Sequence, residues 1–115
     1  MFYLFNQNNS GGDFITDDKV CRYVIIESDN TDIANDIAES KGIYFDGCDA
    51  DIDCPCCGDR WHRVDHCDAK DMPLIYGKSP NKLFEDNDMA LLLTAKGETY
   101  CRVYYNDGRV EEFVR

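Results

Sequence analysis

Residues 20–42, VCRYVIIESDNTDIANDIAESKG, carry a strand signal followed directly by a helix signal. The first part, VCRYVIIES, is rich in β-branched residues and predicts a largely buried strand. In DNTDIANDIAESKG, Asp29 or Asn30 offers an N-cap, Gly42 offers a C-terminal stop, and small apolar residues recur at helical spacing between them. Because this apolar face is narrow, we expect the helix to lie on a sheet and to leave its carboxylates in water.

Extended segments flank this unit on both sides. The N-terminal MFYLF predicts a strand that breaks into the turn-forming NQNNSGG of residues 6–12. Near the C-terminus, MALLLTAKGETYCRVYYNDGRVEEFV contains three extended runs, and Asp107-Gly108 predicts a two-residue hairpin turn. The cross-strand neighbours expected from that turn are Tyr105 with Val110, Val103 with Glu112, and Cys101 with Val114.

Composition limits the possible partners. The chain has 115 residues, a formal net charge of −11 and a sequence pI near 4.4. A negative surface repels phosphates, so we expect no direct binding to nucleic acid. The longest apolar runs, YVII and MALLL, are too short to cross a bilayer, and no apolar segment follows a basic N-terminus. We therefore expect a cytosolic protein with a single domain, residues 1–115, that does not bind membranes.

The cysteines are the most specific chemical signal in the chain. Residues 47–62, GCDADIDCPCCGDRWH, crowd four thiols into one short segment: Cys48, Cys54, Cys56 and Cys57. The chain has seven cysteines, an odd number, and a cytosol that keeps thiols reduced favours metal binding over disulfides. Within CPCCG, Cys54 and Cys57 have the spacing of a zinc half-site, and Gly58 allows a tight turn that directs amides toward the sulfurs.

A tetrahedral zinc site needs further ligands, and the sequence offers two solutions. The compact one uses Cys48, Cys54, Cys56 and Cys57; if Cys56 points away, His62 or His66 takes the fourth position. Four protein ligands leave no position for water, so the expected Zn²⁺ is structural and not catalytic. Two alternatives to metal binding fit less well. Cysteines buried in the core would not suit so acidic a segment, and a redox Cys-x-x-Cys motif needs to open a helix, for which GDRW is a poor start. With this zinc-knuckle-like insertion, the elements predict an α+β fold: one helix packed on a mainly antiparallel sheet, with a C-terminal β-meander.

Three groups of side chains are candidates for binding. The amides of NQNNSGG either recognise a small ligand or form an ordinary turn between strands. The carboxylates that flank the predicted metal loop form either a partner-binding surface or a solvated acidic face, and the single Trp either packs over the metal loop, which we favour, or anchors a partner. The candidate binding residues are Asn6, Asn8, Asn9, Asp49, Asp51, Asp53 and Trp61.

Four motifs together resemble a family of small uncharacterised proteins from tailed bacteriophages: FNQNNSGGDF, GIYFDG, DCPCCGDRW and PLIYG. The resemblance covers roughly the first two thirds of the chain, and the motifs are specific as a set. It implies an origin in a phage genome and expression in a bacterial cytoplasm, and it implies no known activity or substrate. It also favours the four cysteines over the histidines as metal ligands.

Three classes of function follow, in decreasing order of preference. The first is a small phage accessory protein whose acidic surface binds a host protein with a basic surface, such as a defence or nucleic-acid enzyme. The second is a small-ligand binder of nucleotide type that uses the NQNNSGG loop. The third is an enzyme, for which the sequence offers no recognisable nucleophile, base or open metal site.

Overall fold

A computed structural model of the chain describes residues 1–8, 14–83 and 94–115. The elements within these ranges are β1 (Phe2–Asn6), β2 (Tyr23–Glu27), α1 (Thr31–Ser40), β3 (Thr99–Tyr104) and β4 (Val110–Val114), with 3₁₀ turns at His66–Asp68 and Pro80–Lys82. The predicted α+β class, with one helix and a mainly antiparallel sheet, is confirmed. In these ranges no helix has the length and apolar character that a bilayer span requires.

The four strands form one sheet in the order β1-β2-β3-β4. β1 pairs with β2 and β3 with β4 in antiparallel fashion, whereas β2 and β3 are parallel and are separated in the chain by α1 and the cysteine segment. The parallel pair was not expected from the sequence. The first run of the predicted meander, residues 89–93, lies outside the described residues, so the meander is represented by its last two strands.

Helix α1 begins and ends as its sequence predicts. The side chain of Asn30 caps it by accepting a hydrogen bond from the Ile33 amide at 2.9 Å. The helix stops at Lys41 because Gly42 follows with φ +101°, a conformation that side chains with a Cβ rarely adopt. Ala34 and Ala38 are fully buried, so their small side chains let the helix approach the sheet closely.

Both faces of the sheet are covered at its inner strands, whereas β4 is largely exposed. The face under α1 packs with residues that follow the helix, including Trp61, and this core comprises Tyr3, Phe5, Val20, Val24, Ile26, Ala34, Ala38, Ile43, Trp61, Val64 and Tyr104. The opposite face is covered by the segment that contains Ile75 and Leu83, and this core comprises Tyr23, Ile25, Ile75, Leu83, Tyr100, Cys101 and Val103. Burial on both faces explains why β2 is a continuous apolar run without alternation.

The register of the C-terminal hairpin differs from the predicted one. The Tyr105 amide donates to the Arg109 carbonyl at 2.9 Å, which closes a three-residue loop with Gly108 at φ +93°. The predicted two-residue turn was therefore wrong. The observed pairs are displaced by one residue from the predicted ones: Val103 pairs with Glu111, Cys101 with Phe113, and Tyr104 with Val110. The predicted pairs, Tyr105 with Val110, Val103 with Glu112 and Cys101 with Val114, are therefore wrong. A shift of one residue moves side chains to the other face, so Val110 lies on the helix side, beside Tyr104.

Candidate functional site

The cysteine turn, residues 54–58, has the backbone of a metal half-site. The amides of Cys57 and Gly58 donate to the Cys54 carbonyl at 3.0 and 3.1 Å, and Gly58 adopts φ +85°. The Cys54 sulfur accepts hydrogen bonds from the amides of Cys56 and Cys57, which lower the pKa of its thiol. A thiolate held by backbone amides in a tight turn is the form that binds a metal ion.

Cys48 lies beside this turn. Its sulfur is 3.7 Å from the Cys54 carbonyl oxygen, and its amide donates to the Asp59 carboxylate at 2.9 Å. The pKa of the Cys48 thiol is raised to about 11, mainly because the thiol is partly desolvated and secondly because the Asp59 carboxylate is close to it. Negative surroundings disfavour a free thiolate but favour a cation, and a bound cation would itself promote loss of the thiol proton. Cys48 and Cys54 therefore offer thiol donors for a cation, although within the described residues no three of the four predicted cysteine sulfurs lie within 4.8 Å of one another.

The alternate ligand His66 lies in a second group of possible metal ligands. His66 belongs to the one group within residues 1–8, 14–83 and 94–115 that brings three ligand atoms within 4.8 Å of one another, with Asp65 and Cys67. The Asp65 carboxylate accepts from the Cys67 amide at 2.9 Å as the cap of a short 3₁₀ turn, which accounts for their proximity. The cysteines and this second group could each hold a metal, while the four-thiolate ligand set stays a prediction.

A buried carboxylate anchors the loop that precedes the cysteine turn. Asp53 is 6% exposed and accepts hydrogen bonds from the Tyr44 hydroxyl at 2.7 Å and the Arg60 amide at 2.8 Å. The Arg60 guanidinium donates in turn to the Tyr44 hydroxyl at 3.2 Å and to the Gln7 side-chain oxygen at 2.8 Å. This network connects the cysteine segment to the N-terminal strand.

Gly47 makes room for the anchor. A Cβ added there would overlap the carboxylate of Asp53, with the Asp53 Cγ at 2.6 Å and Cε2 of Tyr44 at 2.8 Å. Its carbonyl also accepts hydrogen bonds from the amides of Ile52 and Asp53 at 2.8 and 3.0 Å. This role of Gly47 could not be predicted from the sequence, because a Gly among turn-forming residues gives no sign that a side chain approaches it closely.

The described N-terminal amides make hydrogen bonds within the chain. Asn8 donates from its side chain to the Cys57 carbonyl at 2.8 Å, and its backbone amide donates to the Arg60 carbonyl at 2.8 Å. Gln7 is buried and donates to the Cys21 carbonyl at 3.2 Å. Asn6 is exposed and donates to the Tyr76 hydroxyl, and Asn9 lies outside the described residues. Asn8 therefore ties the cysteine turn to the end of β1.

The other candidate binding residues divide into buried and exposed ones. Trp61 is 1% exposed and belongs to the core beneath α1, so it is not an exposed anchor, and its predicted packing over the metal loop stays a prediction. It and Asp53 are not presented to a partner. Asp49 and Asp51 are exposed, and Ile52, which follows Asp51, is 60% exposed.

An apolar groove opens between α1 and the C-terminal hairpin. It has a volume of about 370 Å³ and lies at the carboxyl ends of the parallel strands β2 and β3. Its apolar lining is Ile26, Ile33, Ile37, Tyr104, Tyr105 and Val110. Glu27 and Asp29 also line the groove, and so do Lys41 and Arg109, whose charged groups lie over the rings of Tyr104 and Tyr105 at 4.7 and 4.1 Å.

The helix beside this groove carries a row of carboxylates. Asp32, Asp36 and Glu39 are exposed, and the last turn of α1 contains no basic residue. Like charges four residues apart destabilise a helix by roughly 0.2–0.5 kcal/mol. Asp32 lies in the first turn, where the helix dipole favours a carboxylate, whereas Asp36 and Glu39 have no such compensation.

Comparison with known proteins places the whole domain in one family. The family model described as a domain of unknown function, DUF7296, matches residues 1–114. The chain belongs to this family. No curated protein and no solved structure matches it. The matched range contains the cysteine turn, the groove and the C-terminal hairpin, so the family likeness extends beyond the first two thirds of the chain.

Proposed function

We propose that this protein is a small acidic phage accessory protein that binds a host protein with a basic surface, in the cytoplasm of a bacterial host. The observation that carries the proposal is the apolar groove, which lies between the hairpin and an acidic helix. A defence or nucleic-acid enzyme is the favoured class of partner, because such enzymes present basic surfaces to phosphates.

The groove has the composition of a protein-binding surface. Ile33 is 42% exposed and Val110 is 49% exposed, and both line the same groove. A single exposed apolar side chain is ordinary, but two that share a concave surface offer a place for an apolar anchor of a partner. Interfaces combine an apolar centre with a polar rim. Here the charged groups at the groove itself are those of Glu27, Asp29, Lys41 and Arg109. The carboxylates of α1 lie on the bordering helix, outside this lining.

The charge distribution favours a basic partner. The formal net charge is −11, and the row formed by Asp32, Asp36 and Glu39 lies on the helix that borders the groove. One pair of opposite unit charges 4 Å apart in water contributes about 1 kcal/mol, so several such pairs speed association more than they tighten the complex. Asp36 and Glu39, which the helix dipole does not compensate, gain a role in such a complex.

A structural zinc ion completes the proposal. We assign it to Cys48, Cys54, Cys56 and Cys57, with His62 or His66 as alternates for Cys56. Four protein ligands would leave no position for water, so the ion would contribute to folding and not to chemistry. It would fix the cysteine turn, which Asn8 already ties to β1.

The test is affinity capture from a bacterial host lysate with two charge-matched variants. Ile33→Asp places a carboxylate in the groove, whereas Ile52→Asp places one on the exposed loop far along the chain from it. We expect wild type and Ile52→Asp to retain the same partner and Ile33→Asp to lose it, with far-ultraviolet circular dichroism confirming that all three fold.

Other outcomes are equally clear. Loss of the partner by Ile52→Asp alone would move the interface to the acidic loop that contains Asp49 and Asp51. Equal capture by all three proteins, or no specific capture by wild type, would reject the groove as the binding surface.

A further inference from the structure

A second cavity lies at the end of β1, distinct from the groove. Its volume is about 390 Å³, and its lining is predominantly polar. The side chains that matter for its chemistry are Asn6, Asn8, Phe14, Arg22, His62 and Tyr76. We call this cavity the polar pocket.

Arg22 is the unusual member of the polar pocket. Its guanidinium carbon lies 4.8 Å from the ring centre of Phe14 and 5.0 Å from that of Tyr23. Nε and Nη1 are buried and have no hydrogen-bond partner within the described chain. Aromatic rings stabilise the positive charge, but they offer no acceptor in the plane of the guanidinium, so both of these nitrogens remain without an acceptor.

An exposed tyrosine lies beside Arg22 in a constrained position. Tyr76 is 63% exposed, adopts φ +51°, and packs edge-on against Tyr23 with ring centres 6.1 Å apart. The left-handed backbone belongs to a tight two-residue turn, in which Ile75 and Lys78 exchange backbone hydrogen bonds and Gly77 also has positive φ. The turn holds the Tyr76 side chain out at the edge of the pocket. Asn6 donates a hydrogen bond to the Tyr76 hydroxyl, which orients the ring.

We infer that the polar pocket binds a small phosphorylated ligand that carries a planar ring, as a nucleotide does. A phosphate forks onto Nη2 of a guanidinium together with either Nε or Nη1, so it can supply an acceptor to one of the two nitrogens of Arg22 that lack a partner. The rings of Phe14, Tyr76 and His62 provide surfaces for stacking. A volume of about 390 Å³ lies within the usual range for small-molecule sites.

The net charge of the protein does not prevent this binding. Charges separated by more than a Debye length, about 8 Å at physiological ionic strength, are largely screened. An anion in the pocket touches Arg22 directly, whereas the carboxylates of α1 lie on the helix that borders the groove. Contact with the guanidinium therefore decides the affinity.

The experiment is isothermal titration calorimetry of the full chain with inorganic phosphate, adenosine 5′-monophosphate and adenosine. We expect the monophosphate to bind most tightly, because it combines the oxyanion with the ring. Arg22→Gln removes the guanidinium and should weaken binding at least tenfold, whereas Arg63→Gln, an exposed arginine outside the pocket, should bind as wild type does.

A second variant keeps the inference testable if Arg22→Gln does not fold. Asn6→Asp changes an exposed residue of the pocket into a carboxylate, and repulsion should again weaken the monophosphate at least tenfold. No heat of binding from either phosphate-bearing probe, or unchanged binding by both pocket variants, would overturn the inference. Ile33→Asp should bind the monophosphate normally, so failure of this site and failure of the proposed groove are separable.

Discussion

Replacing Gly47 by Ala should unlock the loop that supports the cysteine turn. The added Cβ would lie 2.6 Å from the Cγ of Asp53 and 2.8 Å from Cε2 of Tyr44, distances that real Cβ atoms essentially never show. Asp53 cannot move aside freely, because it is buried and accepts from the Tyr44 hydroxyl and the Arg60 amide. The substitution therefore breaks the network or displaces the loop.

The magnitude follows from the bonds at risk. Leaving a buried hydrogen-bonding group without its partner costs roughly 1–3 kcal/mol, and two such bonds depend on the position of Asp53. We expect a loss of about 3 kcal/mol in the free energy of unfolding. For a domain of this size that corresponds to a decrease in Tm of roughly 12 °C.

Thermal and urea unfolding followed by the fluorescence of Trp61, the only Trp in the chain, measure this loss. The matched control is Gly97→Ala, where φ is +86° and the added Cβ would have nothing within 4 Å. That control should lose only the backbone component, about 1 kcal/mol. In an Asp53→Ala background, Gly47→Ala should cost clearly less than it does in the wild type, because the clash with the Asp53 carboxylate is gone and only the close contact with Cε2 of Tyr44 remains. A Gly47→Ala protein no less stable than Gly97→Ala, or an equal cost with and without Asp53, would contradict a clash at Gly47.

Three further predictions concern the metal, the N-terminal amides and pH. Protein purified without chelator should contain about one zinc per chain. Cys54→Ser should lose both zinc and thermal stability, whereas Cys101→Ala should keep its zinc. Absence of metal from folded protein in elemental analysis would contradict the assignment. Asn8→Ala should lower the free energy of unfolding in urea by about 1–2 kcal/mol, because it loses the hydrogen bond to the Cys57 carbonyl. Asn6→Ala, at an exposed position, should change it little. Equal decreases in the two variants would argue against a structural role specific to Asn8. Burial raises the pKa of Cys21 from 9.0 to about 11 and that of Tyr23 from 10.0 to about 12, so the folded state holds these protons more tightly. Their contribution to the free energy of unfolding is complete below pH 9 and is lost as pH rises through about 11 to 12. Cys21→Ala should therefore weaken the decrease in the free energy of unfolding, measured in urea, between pH 9 and 11. An unchanged dependence on pH would contradict this.

Elements with local signals could be predicted from the sequence. The strand and helix of residues 20–42 were predicted because their β-branched run, their N-cap at Asn30 and the stop at Gly42 all act within a few residues. The pairing of β2 with β3 could not be predicted in the same way, because it depends on contacts across a long connection. The hairpin register failed for a smaller reason: Asp107-Gly108 suits both a two-residue and a three-residue loop, and one residue decides the faces.

The candidate sites show the same division. The cysteine turn could be predicted, since its spacing and Gly58 are local. The burial of Asp53 could not, because its partner Tyr44 and the close approach of Gly47 come from the folded loop, and neighbouring aspartates with the same sequence character are exposed. Arg22 gave no signal either, because its lack of an acceptor is visible only once Phe14 and Tyr23 are placed around it.

The most direct test of the proposed function is the kinetics of the captured partner, measured by biolayer interferometry at about 50 mM and about 300 mM NaCl. We expect the association rate to fall about tenfold or more at the higher salt concentration, because carboxylates steer the encounter. Ile33→Asp should associate at a similar rate and dissociate much faster, because it keeps the negative field but loses the apolar contact in the groove. An association rate that does not depend on salt, together with unchanged dissociation from Ile33→Asp, would contradict the proposal that the acidic helix and the apolar groove form the binding surface.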